Sequence, residues 1–285
     1  MRINSLEQLV EISRLQQKKT VAVAAADDET VLTAINNACD NEMITPLLIG
    51  NRQNILRIAT NNKFNTRSWE IIDERDPLTA IQLAVSEIKA GKADILMKGL
   101  VSTAPLLRSV LDNENGLKQN KVLSHFALFQ TPSYHKLFGL SDAAMNILPD
   151  VSEKIYIIEN AVEVFHKLGH HEPKVALLTP VEKVNEKIQS TVDAFKITQL
   201  YRENKIKACI IDGPLALDNA ISRDAAKHKN IDSPVAGDAD ILITPDLNSG
   251  NILYKSLVFF SGAASAAVVT GAKVPVVLTS RADSE

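Results

Sequence analysis

Cysteine is scarce in this chain: Cys39 and Cys209 are the only two in 285 residues. They lie far apart, each in an apolar context, so two buried thiols in a reducing, cytoplasmic compartment are expected and a disulfide is not. A concentrated basic face is also missing. Lys and Arg number 31 against 34 Asp and Glu, and the signs are well mixed, which argues against a nucleic-acid partner. No apolar run reaches the roughly 18–20 residues of a membrane span, so no membrane partner is expected. The opening "MRINSLEQLVEISR" is too polar for a secretory signal. Gly-x-Ser-x-Gly, the Walker loop and Gly-x-Gly-x-x-Gly do not occur, nor does a convincing internal repeat or a low-complexity linker. What is present is a 45% hydrophobic chain, enough to bury one large core or two medium ones.

Apolar runs of strand length alternate with longer helical patterns. "TVAVAAA" from Thr20 precedes "ETVLTAINNACDN", and "MITPLLIG" precedes "NRQNILRIATNN". "WEIID" then precedes "PLTAIQLAVSEIKAG", and "ADILMKG" precedes "TAPLLRSVLDNENG". Strands apolar throughout predict burial on both faces, as in a parallel sheet covered by helices. The order changes after Asn115. "VLSHFALFQ" reads as a strand and "TPSYHKLFGLSDAAMNILPD" as irregular chain. A helix from Val151 to His170 follows, then strands "KVALLT", "ACIID" and "ADILIT", with a helix through "KIQSTVDAFKITQLYREN". The fold class is α/β, with two compact domains and ligands expected beyond the carboxyl ends of the strands.

Several strand ends carry chemistry. Lys98 and Gly99 follow "ADILM", and Ser102 and Thr103 open a helix with Pro105 in its first turn and Arg108 further on. Free N–H groups there, with the lysine charge, suit an anion; the bland reading is an N-cap with surface bases. Asp212, Gly213 and Pro214 close another strand, with Asp218 soon after. Gly237 precedes a strand that Pro245 and Asp246 close, and Gly250 and Asn251 open a helix carrying Tyr254 and Lys255. Each alone reads equally as turn and cap chemistry. His166 and His170, spaced i,i+4, fit a helix C-terminus better than a metal site, since no further ligand is near. His125 beside Ser124 reads as a core histidine, with a place in a cleft as the alternative. The last strand, "VPVVL" from Val274, delivers Thr279, Ser280 and Arg281 at its carboxyl end.

Taken together, "LMKGLVSTAPLLRSVL", "LSDAAMNILPD", "DGPLALDNAIS", "SPVAGDADILITPDLNSGNILYKS" and "VPVVLTSRADSE" resemble the phosphate acetyl/butyryltransferase family, its butyryltransferase branch above all. The resemblance implies two three-layer α/β domains with a cleft between them, in the isocitrate/isopropylmalate dehydrogenase-like fold. It implies a first domain of residues 1–121 plus 268–285 and a second of 122–267. It further implies transfer of a butyryl or similar acyl group between coenzyme A and inorganic phosphate, in a homodimer or larger homo-oligomer, with coenzyme A as substrate and no cofactor or metal. Ser280, Arg281 and Asp283 would be catalytic. Lys98, Ser102, Thr103, Arg108, Asp212, Gly237 and Asn251 would bind phosphate or substrate.

The residue types suit that chemistry. A guanidinium fork holds two phosphate oxygens, a hydroxyl such as that of Ser280 stabilises charge growing on the thioester carbonyl, and a carboxylate takes the thiol proton in reverse. Two departures stand out. Acetyltransferase relatives carry an Asp seven residues after the serine, two positions past Glu285: either Asp283 or Glu285 substitutes, or the protein continues past Glu285 with a tail that carries it. The residue after Gly237, usually basic, is Asp238 here. A catalytically silent coenzyme A-binding module of the same fold and a phosphate acetyltransferase are the alternatives; a dehydrogenase is more remote, because no metal-binding carboxylate cluster is visible.

Overall fold

The computed structural model describes residues 2–120 and 122–278. The described chain divides into two compact units, one of residues 10–120 with 271–278 and one of residues 2–9 with 122–270. The expected division put residues 1–9 in the first unit and broke the chain after 121 and 267. Residues 2–9 instead belong with the second unit. Ile3 is buried, its N–H donates to the Leu168 carbonyl at 2.9 Å, and its carbonyl lies 3.4 Å from His170 Nε2. The Leu6 N–H donates to the Gln130 side chain at 2.7 Å.

After a first helix, α1 (Leu6–Arg14), the first unit alternates strand and helix as expected. The elements run β1 (Lys19–Ala24), α2 (Glu29–Asp40), β2 (Ile44–Gly50), α3 (Arg52–Asn61), β3 (Glu70–Asp73), α4 (Pro77–Lys89), β4 (Ile95–Lys98) and α5 (Thr103–Leu111). The strands lie side by side as β3–β2–β1–β4, all parallel, and Val276–Val277 adds in parallel to β4. Val21, Val23, Leu32, Ile35, Leu48 and Ile55 form the core between strands and helices. Helices α2, α3 and α4 start at Asp28, Asn51 and Asp76, whose side chains accept from the third N–H of each helix. Chain order steps outward from β1 to β3 and then returns to place β4 on the other side of β1. That reversal is a topological switch point, where an open α/β sheet leaves a crevice at its carboxyl edge.

The second unit contains β5 (Ser124–Gln130), β6 (Phe138–Ser141), α6 (Val151–Lys167), β7 (Lys174–Leu178), α7 (Gln189–Arg202) and β8 (Ile210–Leu215). It continues with α8 (Leu217–Ile221), α9 (Arg223–His228), β9 (Ile241–Ile243), α10 (Leu247–Phe259) and β10 (Ala264–Thr270). Strands β6, β9, β7 and β8 are parallel in that spatial order, but β5 runs antiparallel to both β6 and β10. The break from parallel order at β5 has a geometric reason. Residues 131–137 are too few for a crossover helix, so β6 can only fold back on β5.

Strand β6 itself lies inside the stretch read as irregular. Strand β8 continues through Gly213 and Pro214 to Leu215, so Asp212 sits mid-strand and not at a strand end. Helix α10 begins four residues before Asn251, because the Asp246 side chain accepts from the Ser249 N–H at 2.8 Å. Cys209 is buried, and burial pushes its thiol up to about 12; Cys39 is only half-buried.

Candidate active site

In the first unit the chemistry gathers at the β1/β4 switch point. Chain leaving β4 crosses directly over the end of β1: the Gly99 N–H donates to Ala24 O at 2.8 Å and the Leu100 N–H to Ala25 O at 2.7 Å. A Cβ on Gly99 would stand 2.0 Å from the Ala25 carbonyl oxygen, so only glycine fits. The Lys98 ammonium curls over this loop, 3.2 Å from Gly99 O and 3.3 Å from Val101 O. Ser102 then occupies the N-cap of α5 but, unlike the caps of α2, α3 and α4, makes no side-chain capping bond. Ser102, Thr103 and Ala104 are exposed. The helix therefore opens with first-turn N–H groups that its N-cap side chain leaves unsatisfied, two hydroxyls and a cation one loop away. An anion is the natural complement of that set.

Arg108 is not beside them. Six residues along a helix turn the side chain by roughly 240°, and Arg108 faces a groove against α4 lined by Gln82, Ser86, Lys89 and Ser109, of about 670 Å³.

In the second unit the carboxyl ends of β6 and β9 are built around Asp142, a residue that sequence reasoning passed over. Its buried carboxylate accepts from the N–H groups of Ala144 at 2.8 Å, Met145 at 3.0 Å and Asn146 at 3.2 Å, and from the Asn146 side chain. Its carbonyl accepts from Thr244 Oγ1 at 2.9 Å and packs on Gly250, where a Cβ would come within 2.1 Å. Asn251 Nδ2 donates to Ala143 O at 3.2 Å, so this candidate ligand residue holds the loop after β6. The signal available in the sequence was an Asp followed by small residues, the pattern of a side chain that caps its own turn. Beside it, Lys154 and Asp193 form a buried ion pair of 2.7 Å, with Gln189 donating to Asp193 at 2.7 Å.

Gly237 and Asp212 do not join that end. Gly237 has φ +73° and lies against Arg223. Its neighbour Asp238 pairs with Lys174 at 2.7 Å, His135 at 3.0 Å and Lys136 at 3.1 Å; Lys174 starts β7, so this network belongs to the amino ends of the strands. Burial pushes the Asp238 carboxyl up, but hydrogen bonds from Lys174, Lys136 and His135 outweigh it and hold the group far below the usual carboxylate range. The bases around Gly237 thus face a carboxylate of the chain itself. Asp212 lies 3.9 Å from Arg202 on the face that α7 covers. Asp218 and Glu182 share Lys229, at 3.1 and 2.6 Å.

His125 packs edge-on against Tyr254, with ring centroids 5.7 Å apart, in the manner of a core histidine. His166 pairs with the Ala208 carbonyl at 2.8 Å. Among the described residues no three His, Cys, Asp or Glu side chains are grouped to hold a metal. Ser280, Arg281 and Asp283 lie outside the described residues.

The sequence profile of the phosphate acetyl/butaryl transferase family matches residues 4–80 and 75–285. The chain belongs to this family. Among relatives of this transferase family, a phosphate butyryltransferase from Clostridium beijerinckii is 46% identical over 275 residues, covering 96% of this chain and 91% of that protein. A branched-chain phosphotransacylase from Enterococcus faecalis V583 is similar in structure, with a TM-score of 0.82, 38% identity and 93% of each chain covered. The transferase fold extends to a 4-hydroxythreonine-4-phosphate dehydrogenase from Burkholderia phymatum, at a TM-score of 0.60 and 14% identity over 93% of this chain and 91% of that one. The expected dehydrogenase-like α/β class therefore holds.

Proposed function

We propose that the protein transfers a short acyl group, butyryl or a close relative, between coenzyme A and inorganic phosphate. The observation that carries the reading is the uncapped start of α5 with Lys98 at the β1/β4 switch point, in a chain 46% identical to a phosphate butyryltransferase. Phosphate is a dianion, and the first-turn N–H groups, the Ser102 and Thr103 hydroxyls and the Lys98 charge are the donors it needs.

Ser280 and Arg281 are proposed from their family motif as the reacting pair. The guanidinium would hold phosphate in two-pronged fashion, and the hydroxyl would stabilise the oxyanion as a phosphate oxygen attacks the thioester carbon. The carbon–sulfur bond then breaks and the coenzyme A thiolate leaves, taking up a proton; in reverse a carboxylate, with Asp283 the candidate, removes that proton. Asn251 would act through the loop after β6, whereas Arg108, Asp212 and Gly237 would lie outside the phosphate site at the start of α5. No metal or cofactor enters the scheme. We further propose a cytoplasmic enzyme that acts as a homodimer. Free Cys39 and Cys209 suit that compartment, and among the described residues no helix is long and apolar enough to cross a membrane.

A thiol-release assay with acetyl-, butyryl- and isobutyryl-coenzyme A, with and without phosphate and with EDTA, tests the proposal. The expected result is phosphate-dependent release, fastest with a four-carbon chain and unaffected by EDTA. Coenzyme A binding without turnover would instead indicate a silent module, and a requirement for a divalent ion would overturn the metal-free scheme.

A further inference from the structure

The second unit treats the two edges of its parallel strands differently. Among the described residues, chain entering β6, β7, β8 and β9 at their amino ends carries no exposed large hydrophobic side chain. Chain leaving β6, β7 and β8 at their carboxyl ends carries Ile147, Leu148, Val181, Val184 and Leu217, all exposed. Single exposed apolar side chains need no explanation, but a bias to one edge does. In open α/β sheets the carboxyl edge is where ligands bind.

Ile147 and Leu148 stand out on that edge, at 74% and 77% exposure against 36–46% for the other three. Their loop is not slack. Asp142 accepts from three backbone N–H groups just before them, and the Leu247 N–H donates to Ile147 O at 3.1 Å. Pro149 is buried, and Asp150 closes the loop with a capping box at the start of α6. Two adjacent aliphatic side chains are thus held out from a fixed backbone, which spares a ligand the cost of ordering them.

The size of the surface limits its occupant. Two aliphatic side chains, even with Val181, Val184 and Leu217 added, fall short of the ~800 Å² that each partner gives to a standard protein interface. Phosphate and the phosphates of coenzyme A gain nothing from an uncharged surface. A short apolar chain matches it, and the proposed substrate carries one in its acyl group. We infer that Ile147 and Leu148 contact the acyl chain and set the preference for its length. The inference rests on the acyl-transfer reading and deepens it.

The thiol-release assay tests it on Ile147→Ala, Leu148→Ala and the double variant, with kcat/KM measured for acetyl- and butyryl-coenzyme A at saturating phosphate. Leu15→Ala, at an 87% exposed site in the first unit, is the control and should leave both values unchanged. Each methylene that an apolar contact recognises gives about tenfold or more of discrimination. The double variant is therefore expected to lower the ratio of butyryl to acetyl kcat/KM by about tenfold or more. Its rate with acetyl-coenzyme A, its phosphate saturation and its melting temperature should stay close to those of the wild type, because the side chains touch little of their own fold. An equal loss with both acyl chains would overturn the inference, since it would place the pair against the pantetheine arm that every acyl-coenzyme A shares. So would a ratio that does not move. Both results leave the acyl-transfer reading standing. A wild type without phosphate-dependent thiol release would overturn that reading and this inference with it.

Discussion

Gly99 shows how little freedom a backbone crossing leaves. An alanine Cβ would meet the Ala25 carbonyl oxygen at 2.0 Å and that of Ala24 at 2.7 Å, and neither can swing aside as a side-chain tip would. Gly99→Ala must therefore part the loop from the end of β1. Overpacking of this kind costs about 1–3 kcal/mol, to be read from urea unfolding, and the Michaelis constant for phosphate should rise because the start of α5 moves with the loop. Asp238 gives a pH signature. Its folded-state carboxyl is depressed, so its stabilisation is complete above the ordinary carboxylate value of about 4 and fades as pH falls through it toward the folded value. The melting temperature of the wild type should exceed that of Asp238→Asn most at neutral pH, with the gap narrowing below about pH 4. A constant gap down to pH 3 would mean that the lysines do not hold the charge.

Between elements, the Lys154–Asp193 pair fastens α6 to α7 inside the second unit. Truncating one partner strands a buried charge, whereas replacing both with apolar residues removes the desolvation problem altogether. Lys154→Met is expected to cost about 3–5 kcal/mol, and Lys154→Met with Asp193→Leu to recover most of it, as measured by denaturant titration of the single and double variants. A double variant no better than the single would show that Gln189 and the neighbouring chain need the carboxylate.

The pair also marks what a linear reading of elements misses. The β1–β4 run was legible because each strand has an apolar centre and each following helix has an Asx or Ser cap. Strand β6 was not, since "FGLS" has four residues and a glycine, and only its neighbours β5 and β9 make it a strand. Asp212 misled because an Asp-Gly-Pro sequence is turn chemistry until β7 pairs with it.

Across the molecule the same division holds for the site. The α5 start was readable, since strand, lysine, glycine and cap are consecutive in sequence. The setting of Gly237 was not, because the groups that occupy Asp238 come from His135, Lys136 and Lys174, far away along the chain. Asp142 went unnoticed for the converse reason: its N–H partners are next to it, but Thr244 and Gly250, which give it importance, are about a hundred residues on.

The interleaving of the two units has its own consequence for biogenesis. A ribosome makes the chain in order, and residues 10–120 lack only the segment from Gly271 onward, which brings the strand Val276–Val277 to β4 and pairs with residues 117–120. The second unit has residues 1–9 in hand from the outset and is complete once Thr270 has been made. The half whose bulk is made earlier is thus the one finished later, and for the whole synthesis of residues 121–270 the outer edge of β4 stays open. That is the interval in which a nascent chain with an unpaired apolar strand is most in need of a chaperone.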